Sequence, residues 1–471
     1  MSNQPTKHHH HEAATSEHGF KREIGYFGGV SIIAGILIGS GIFYIGAVVL
    51  ERVGMSFGLA LLCWCIGGFI TLLGALCYAE LSASMPQAGG STVYLNTAYH
   101  PLLGFLVGFG TWTVSGAGSI AALGIALPTA LQSIFGFNNI TIKIIAVAII
   151  FFLSWVNYLG IRNSNLLQIC SMVGKLVPIG VLLIAGIVAG NTSVDLSLTP
   201  AVTDGTPSVS AIFSMIAFGV LATLWAFDGW KQSANVTEEM KNPRRDFPLA
   251  LITSIIGITV LYALFNFAIY KVLTVDEVYA SVAVGDYYLG TQAASKLFGN
   301  FGVILVTIGM VLAIFNSCNG CIMTYPRQYY AMAEEGHFFK SFKKLHPKHR
   351  VPHYAIWCQA VISSLFVIFQ SLSQLTTMVA YISSLENILL IIAVPVLRKK
   401  YPDMERPYKV WGGYFTMVLA AILFLALVIN TFVSDIQSAL IGTSVPIIGT
   451  IVYFIFDVRL KKERAAQGGQ K

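Results

Sequence analysis

The chain has 471 residues, of which 55% are hydrophobic and only 11% charged, with a mean hydropathy of +0.70 and a formal net charge of +7. No soluble fold can hide that much apolar surface, so lipid must be part of the solvent. The seven cysteines lie within or beside apolar runs, which excludes a loop-borne disulfide framework, and the positive charge follows the loops rather than a nucleic-acid-binding face.

The opening stretch, MSNQPTKHHHHEAATSEHGF, is polar and lacks an apolar core, so residues 1–22 read as a cytoplasmic tail and not as a signal peptide. Its run His8 to His11 reads as low-complexity, solvated sequence rather than a metal site. From there, apolar runs of about 18 to 25 residues alternate with short polar segments and show no period-two alternation, the pattern of helices crossing a bilayer rather than of barrel strands. The fold class predicted is an all-α membrane protein with twelve transmembrane helices. Helices 1 to 4 are expected over Gly28–Leu50, Phe57–Ala83, Leu102–Leu131 and Ile142–Leu159, and helices 5 to 8 over Leu166–Ala189, Val209–Glu239, Pro248–Val272 and Phe301–Glu334. Helices 9 to 12 follow over Tyr354–Phe369, Leu375–Leu397, Tyr414–Phe432 and Ser438–Asp457. Helices 1 to 10 would form a transport core over 23–400, with helices 11 and 12 in 401–458 and a cytoplasmic tail in 459–471. No loop is long enough for a soluble domain.

With a cytoplasmic start, Arg52, Lys143, Lys271 and Lys296 fall in outside loops and Lys175 and Lys231 within helices, while all other Lys and Arg residues lie inside. By the positive-inside rule both termini are then cytoplasmic, in the cell membrane.

Helix 1 carries GILIGSGIF, with Gly39, Ser40 and Gly41 at mid-span. Glycines there weaken the helix, and an unwound stretch is tolerated in a bilayer only where it faces protein or a wet cavity. The freed amides of Gly39, Ser40 and Gly41 would cap the second half-helix, whose positive end attracts a carboxylate. Close packing of a neighbour on Gly35 and Gly39 is the competing explanation. A second interruption settles the choice: in LWAFDGWKQSANVTEEM of helix 6, Asp228 and Gly229 lie at a corresponding depth. Paired interruptions point to a transporter with inverted repeats. Because helix 6 is five helices after helix 1, the repeats would be helices 1 to 5 and 6 to 10.

Two of the ionisable residues inside the predicted membrane region, Lys175 and Asp228, are candidates for function. Lys175, in SMVGKLVPIG of helix 5, marks function by default, with snorkelling to the boundary as the alternative. It reads either as a fixed cation stitching helices 1 and 5 or as a proton carrier. Asp228 would meet a substrate ammonium, or satisfy freed amides or Lys231. Glu80 and Glu386 read as structural partners in ion pairs. Cys318 and Cys321 form a CxxC without a second ligand pair, so no metal site is expected.

The motifs GILIGSGIF, Pro86-Gln-Ala-Gly-Gly90, TLWAFDGW with VTEEMKNPRRDFP, and SCNG with PRQYYAMAEEGHFF together resemble the L-type amino acid transporters of the amino acid, polyamine and organocation (APC) superfamily, with its LeuT-type fold. The resemblance is closest to the bacterial serine/threonine exchanger branch and spans Ile24 to about Pro352. It implies that the amides of Gly39, Ser40 and Gly41 hold the substrate carboxylate. The carbonyls of Ile36, Ile38, Ala226 and Phe227 would accept from its ammonium, and Trp225 would be the aromatic gate, with simple packing as its other reading. Lys175 lies where sodium-coupled relatives bind sodium, which implies sodium independence. The family often carries a tyrosine where helix 7 has Ile269, after Asn266-Phe-Ala, so a coupling role for helix 7 is not carried over. The loop SIFGFNNITIK lacks the cysteine that bonds animal members to a heavy subunit, so no such partner is expected.

The function expected is sodium-independent exchange of small neutral L-amino acids such as serine, threonine or alanine by alternating access. The rivals are proton-coupled uptake through Lys175, and transport of cationic amino acids or polyamines balanced by Asp228. A receptor would need a soluble signalling domain. No nucleophile, base and orienting group gather in a motif and no glycine loop suits a nucleotide, so neither an enzyme nor a cofactor is expected.

Overall fold

The computed structural model describes residues 20–201, 208–370, 372–434 and 436–468, so His8 to His11 lie outside the described residues. Helix 1 consists of Tyr26–Leu37 and Gly41–Arg52, bent by 45° at a short break. Helix 2 is Phe57–Ser84, opened by Ser56, whose hydroxyl accepts from the amide of Leu59. Helix 3 runs from Pro101 to Ala130 through a π-helical turn at Thr111–Ser115. Helices 4 and 5 are Asn139–Tyr158 and Ile161–Ala189, helix 7 is Pro243–Val272 and helix 8 is Asn300–Glu334. Helices 9 to 12 are His353–Phe369, Leu372–Lys400, Gly413–Ser434 and Ile436–Gly468.

Nine helices among the described residues are long and apolar enough to cross a membrane, and the bent pair of helix 1 makes a tenth. Helix 9 and the Gly413–Ile429 stretch of helix 11 are apolar but shorter. Large apolar side chains such as Val181, Ile184, Phe213, Ile422 and Ile451 remain exposed on helices 5, 6, 11 and 12, where lipid would cover them. The protein is therefore an all-helical, multi-pass membrane protein.

Three departures from the expected layout have local causes. Helix 6 is α-helical only over Val209–Ala226, and its second part, Lys231–Glu239, is a 3₁₀-helix. A 3₁₀ run of that length is uncommon and here follows the positive-φ turn at Gly229. Three short helices occupy stretches read as loops: Ser91–Ala98, Val275–Ala283 and Leu289–Phe298. The second of these opens with a capping box between Thr274 and Glu277, a local signal that polarity had masked. The third departure is at the start of the chain, where Phe20 is fully buried against Tyr330 and Ile24 pairs with Met240 in an isolated parallel bridge.

Helix 7 packs most extensively on helix 2, and helix 8 on helices 5 and 3. The two parts of helix 1 are enclosed among helices 5, 6, 7 and 8. That enclosure is what allows a broken helix at membrane depth, because protein donors replace the missing water.

Candidate functional site: two broken helices around one cavity

The first break follows from glycine chemistry at its centre. Ile38, the C-cap, leaves helical geometry (φ −78°, ψ 77°), and Gly39 turns its amide back to the carbonyl of Leu37 at 2.9 Å. Ser40 then re-enters helical geometry and starts the second half-helix. Among the described residues no acceptor meets the amides of Ser40 or Gly41, which stay at the positive end of Gly41–Arg52.

The carbonyls released by this break are taken up by side chains from three other helices. Ser317 of helix 8 donates to the carbonyls of Gly35 (3.0 Å) and Ile36 (2.9 Å). Tyr262 of helix 7 donates to Leu37 at 2.8 Å. Lys175 of helix 5, fully buried, donates to Gly35 (2.9 Å), Ile38 (2.6 Å) and Asn316 Oδ1 (3.0 Å), which uses all three of its N–H groups. Asn316 in turn donates to the carbonyl of Gln168 at 2.8 Å. No space separates these groups from helix 1, since a Cβ on Gly35 would lie 2.2 Å from Gln168 Nε2.

The second break lies against the first. A Cβ on Gly41 would stand 3.0 Å from that of Ala226, and one on Gly229 (φ +110°) would lie 2.6 Å from Ile36 Cγ2. Tyr262 touches both breaks, since its hydroxyl also lies 3.2 Å from the carbonyl of Ala226. Beyond that contact helix 6 is less braced. Phe227 and Asp228 bond their amides back to Thr223 and Trp225, while their carbonyls meet no donor among the described residues. The Asp228 carboxylate accepts from Ser383 Oγ of helix 10 at 2.8 Å.

Both breaks border a cavity of about 500 Å³. Ile36, Gly39, Ser40, Gly41, Trp225, Ala226, Asp228 and Gly229 line it, together with Ser119, Ser317 and Tyr325. It extends along the second half of helix 3 to Thr129 and Ala130, past Tyr44 and Tyr288, and so opens at the end of the molecule opposite Ile24. Trp225 also borders a side cavity of about 190 Å³. Ile38 and Phe227 are almost fully buried and lie outside the main wall: the Ile38 carbonyl faces Lys175, and the Phe227 ring packs on Trp64 and Tyr262.

The geometry also redistributes the expected polar roles. The Gly39 amide is used internally, and the carbonyls of Ile36, Ile38 and Ala226 already hold protein donors, although each retains a second lone pair. Asp228 contacts Ser383, while the ion partner of Lys231 is Glu386 at 3.0 Å. Tyr262 and Asn316 were not singled out from the sequence, and Ser317 stood there only as the first residue of the motif SCNG, without a role. A tyrosine in the apolar run VLYALFNF and the polar pair Asn316-Ser317 within helix 8 were the available signals, since buried polar groups in a bilayer need partners.

The end away from the mouth is shut by buried polar contacts. Arg327 and Glu239 pair at 2.8 Å with side chains 1% exposed. The amides of Glu23 and Ile24 bond the Glu239 carbonyl at 3.0 Å, and the Ala88 amide bonds Glu238 at 3.1 Å. Arg398 grips Glu80 through two bonds of 2.8 and 2.6 Å. The motif residues after helix 2, at the end of helix 6 and in helix 8 thus converge on one closed layer.

The sequence matches the family described as amino acid permease over residues 24–456. The serine/threonine exchanger SteT of Bacillus subtilis (strain 168) is 29% identical over 456 residues, covering 96% of this chain and 100% of that protein. The b(0,+)-type amino acid transporter 1 of Homo sapiens is 31% identical over 402 residues, 83% of this chain and 79% of its own. The human Asc-type amino acid transporter 1 is 29% identical over 443 residues, 92% and 82%. The match spans both breaks and the cavity between them, so the chain belongs to the amino acid permease family and is an amino acid transporter of the APC superfamily rather than an enzyme.

Proposed function

We propose that the protein exchanges small neutral L-amino acids of the serine, threonine and alanine class across the cell membrane, without sodium, by alternating access. The observation that carries this reading is the pair of breaks facing one cavity with opposite groups left over. Among the described residues, free amides of Ser40 and Gly41 stand at the first, and the free carbonyl of Asp228, with its carboxylate, at the second. Such a pair suits a zwitterion, whose carboxylate needs donors and whose ammonium needs acceptors away from water. In this reading Gly39 gives the backbone its turn and Gly229 brings helix 6 against Ile36. Trp225 closes over the bound substrate.

Twelve crossings arranged as two inverted repeats of five helices plus helices 11 and 12 would place the breaks in equivalent positions. Both termini would be cytoplasmic and the cavity would open outward. Sodium independence is supported by Lys175, whose ammonium fills the space beside helices 1, 5 and 8 that a cation would need. Because its three donors are engaged, it acts as a fixed tie more readily than as a proton carrier. Work without a disulfide-bonded subunit is supported by the loop SIFGFNNITIK, which carries no cysteine. A second reading, transport of cationic amino acids or polyamines, is supported by the Asp228 carboxylate in the cavity wall.

The deciding measurement is uptake of labelled serine into liposomes holding the purified protein, with and without unlabelled serine inside, in sodium and in choline buffers. Internal serine should accelerate uptake and sodium should not matter. Uptake indifferent to internal amino acid would refute exchange, and a sodium requirement would refute the role given to Lys175.

A further inference from the structure

Three residues after Asp228, Lys231 sits 3% exposed in the 3₁₀ part of helix 6. Its ammonium donates to Glu386 Oε2 (3.0 Å), to the carbonyl of Ser383 (3.1 Å) and to Ser383 Oγ (3.0 Å), so its N–H groups are spent. The single hydroxyl proton of Ser383 goes to Asp228 Oδ1 at 2.8 Å. Lys231 is therefore joined to two carboxylates, directly to Glu386 and through one hydroxyl to Asp228.

Two carboxylates and one ammonium leave the cluster with one net negative charge. A polar cavity of about 20 Å³, enough for roughly one water, lies among Asp228, Lys231, Ser383 and Glu386 and shares Asp228, Gln232 and Tyr325 with the substrate cavity. The other intramembrane cation, Lys175, is committed behind the first break and touches none of these groups. Tyr78 of helix 2 and Tyr325 of helix 8 are the neighbouring hydroxyls: Tyr78 donates to the Lys231 carbonyl, and Tyr325 accepts from Gln232. Unbalanced charge is costly at this depth, so one negative charge calls for one positive group from the cavity. The α-ammonium of a zwitterion supplies it. A second positive group, on the substrate side chain, then finds the remaining carboxylate already neutralised by Lys231.

We propose that Lys231 sets the charge of the accepted substrate: paired with Glu386 and linked through Ser383 to Asp228, it holds the cluster at one net negative charge and so excludes cationic side chains. The inference rests on the amino acid exchange proposed above. It differs from a purely structural role for Lys231 in predicting a change of substrate ratio rather than a uniform loss.

The test uses the full chain in liposomes loaded with serine, at fixed pH, and measures entry of labelled lysine and labelled serine. Lys231→Met should raise the lysine-to-serine ratio by about tenfold or more, the factor that about 1.4 kcal/mol of differential binding produces. Lys231→Arg should keep the wild-type ratio. The double variant Lys231→Met with Glu386→Gln restores one net negative charge and should return the ratio to that of the wild type. Glu386→Gln alone, which brings the count to zero, should lower it and serves where Lys231→Met fails to fold. Equal changes for both substrates, or the same ratio in the single and double variants, would overturn the proposal. Absence of serine exchange in the wild type would instead overturn the transport reading beneath it.

Discussion

The two broken helices start from similar sequence and end in opposite states. At the first break, the carbonyls of Gly35, Ile36, Leu37 and Ile38 are taken up by Lys175, Ser317 and Tyr262, and what remains unpartnered are amides. At the second, Tyr262 reaches the Ala226 carbonyl, the next carbonyls meet no donor among the described residues, and the chain continues as a 3₁₀-helix. The difference teaches that an interrupted helix becomes a donor site or an acceptor site according to which of its orphan groups the surrounding helices satisfy. The site is polar in a fixed direction because helices 5, 7 and 8 supply donors to one break and few to the other.

The largest expected effect comes from forcing the breaks apart. Gly41→Leu would drive a side chain into Ala226, whose Cβ already lies 3.0 Å from the position of a Cβ on Gly41. Serine uptake should be abolished while the protein still elutes as a folded species; persistent uptake of wild-type affinity would mean the carboxylate binds elsewhere. Next is Lys175→Met, which unties helix 1 from helices 5 and 8, leaves the Ile38 carbonyl without a donor and takes one donor from Gly35 and Asn316. Leaving a buried acceptor without its donor costs about 1 to 3 kcal/mol. Thermal unfolding in detergent should shift down strongly and transport should fall with it, and an unshifted transition would remove Lys175 from the bracing of the first break.

Tyr262→Phe sharpens the comparison because it removes one hydroxyl shared by both breaks while keeping the ring between Trp64 and Phe227. A loss of about 1 to 3 kcal/mol is expected for the carbonyls left unsatisfied. Transport should weaken by more than stability alone explains, read as the ratio of uptake to folded protein. A variant with wild-type uptake per folded molecule would show that the breaks are held without it.

The smallest effect belongs to a group remote from both breaks. Glu335, the cap that follows helix 8, is held by burial at a pKa of about 7, up from 4.5, against the opposing hydrogen bond from Asn96. A raised folded pKa contributes stability in full below pH 4.5 that is lost as pH rises through about 7. Glu335→Gln should flatten the fall in thermal stability across that window and leave the affinity for serine unchanged. An unaltered slope would show that other groups govern the pH dependence of the closed end.

Much of the architecture was readable because it is local. Apolar runs mark each helix, and the glycines at 39, 41 and 229 mark where helices 1 and 6 fail, since hydration cost and backbone freedom depend on the residue in place. The motif residues Pro86 to Gly90, Glu238 to Met240 and Arg327 stood out in the sequence, but that they form one closed layer required the fold. The capping box at Thr274 shows the opposite failure, a local signal passed over because a short polar helix lacks the long apolar run of a crossing.

What the sequence by itself determined is a membrane-embedded helical transporter with two interruptions and charges set inside its helices, because composition, hydropathy and glycine act at the residue where they occur. Only the tertiary structure decided which orphan groups remain for a ligand. Gly39 turns inward, Ile38 belongs to Lys175, and Tyr262 holds both breaks at once, through partners that lie far away in the chain. A hydrogen bond between distant helices depends on packing, and packing joins residues whose separation in sequence carries no mark of their meeting.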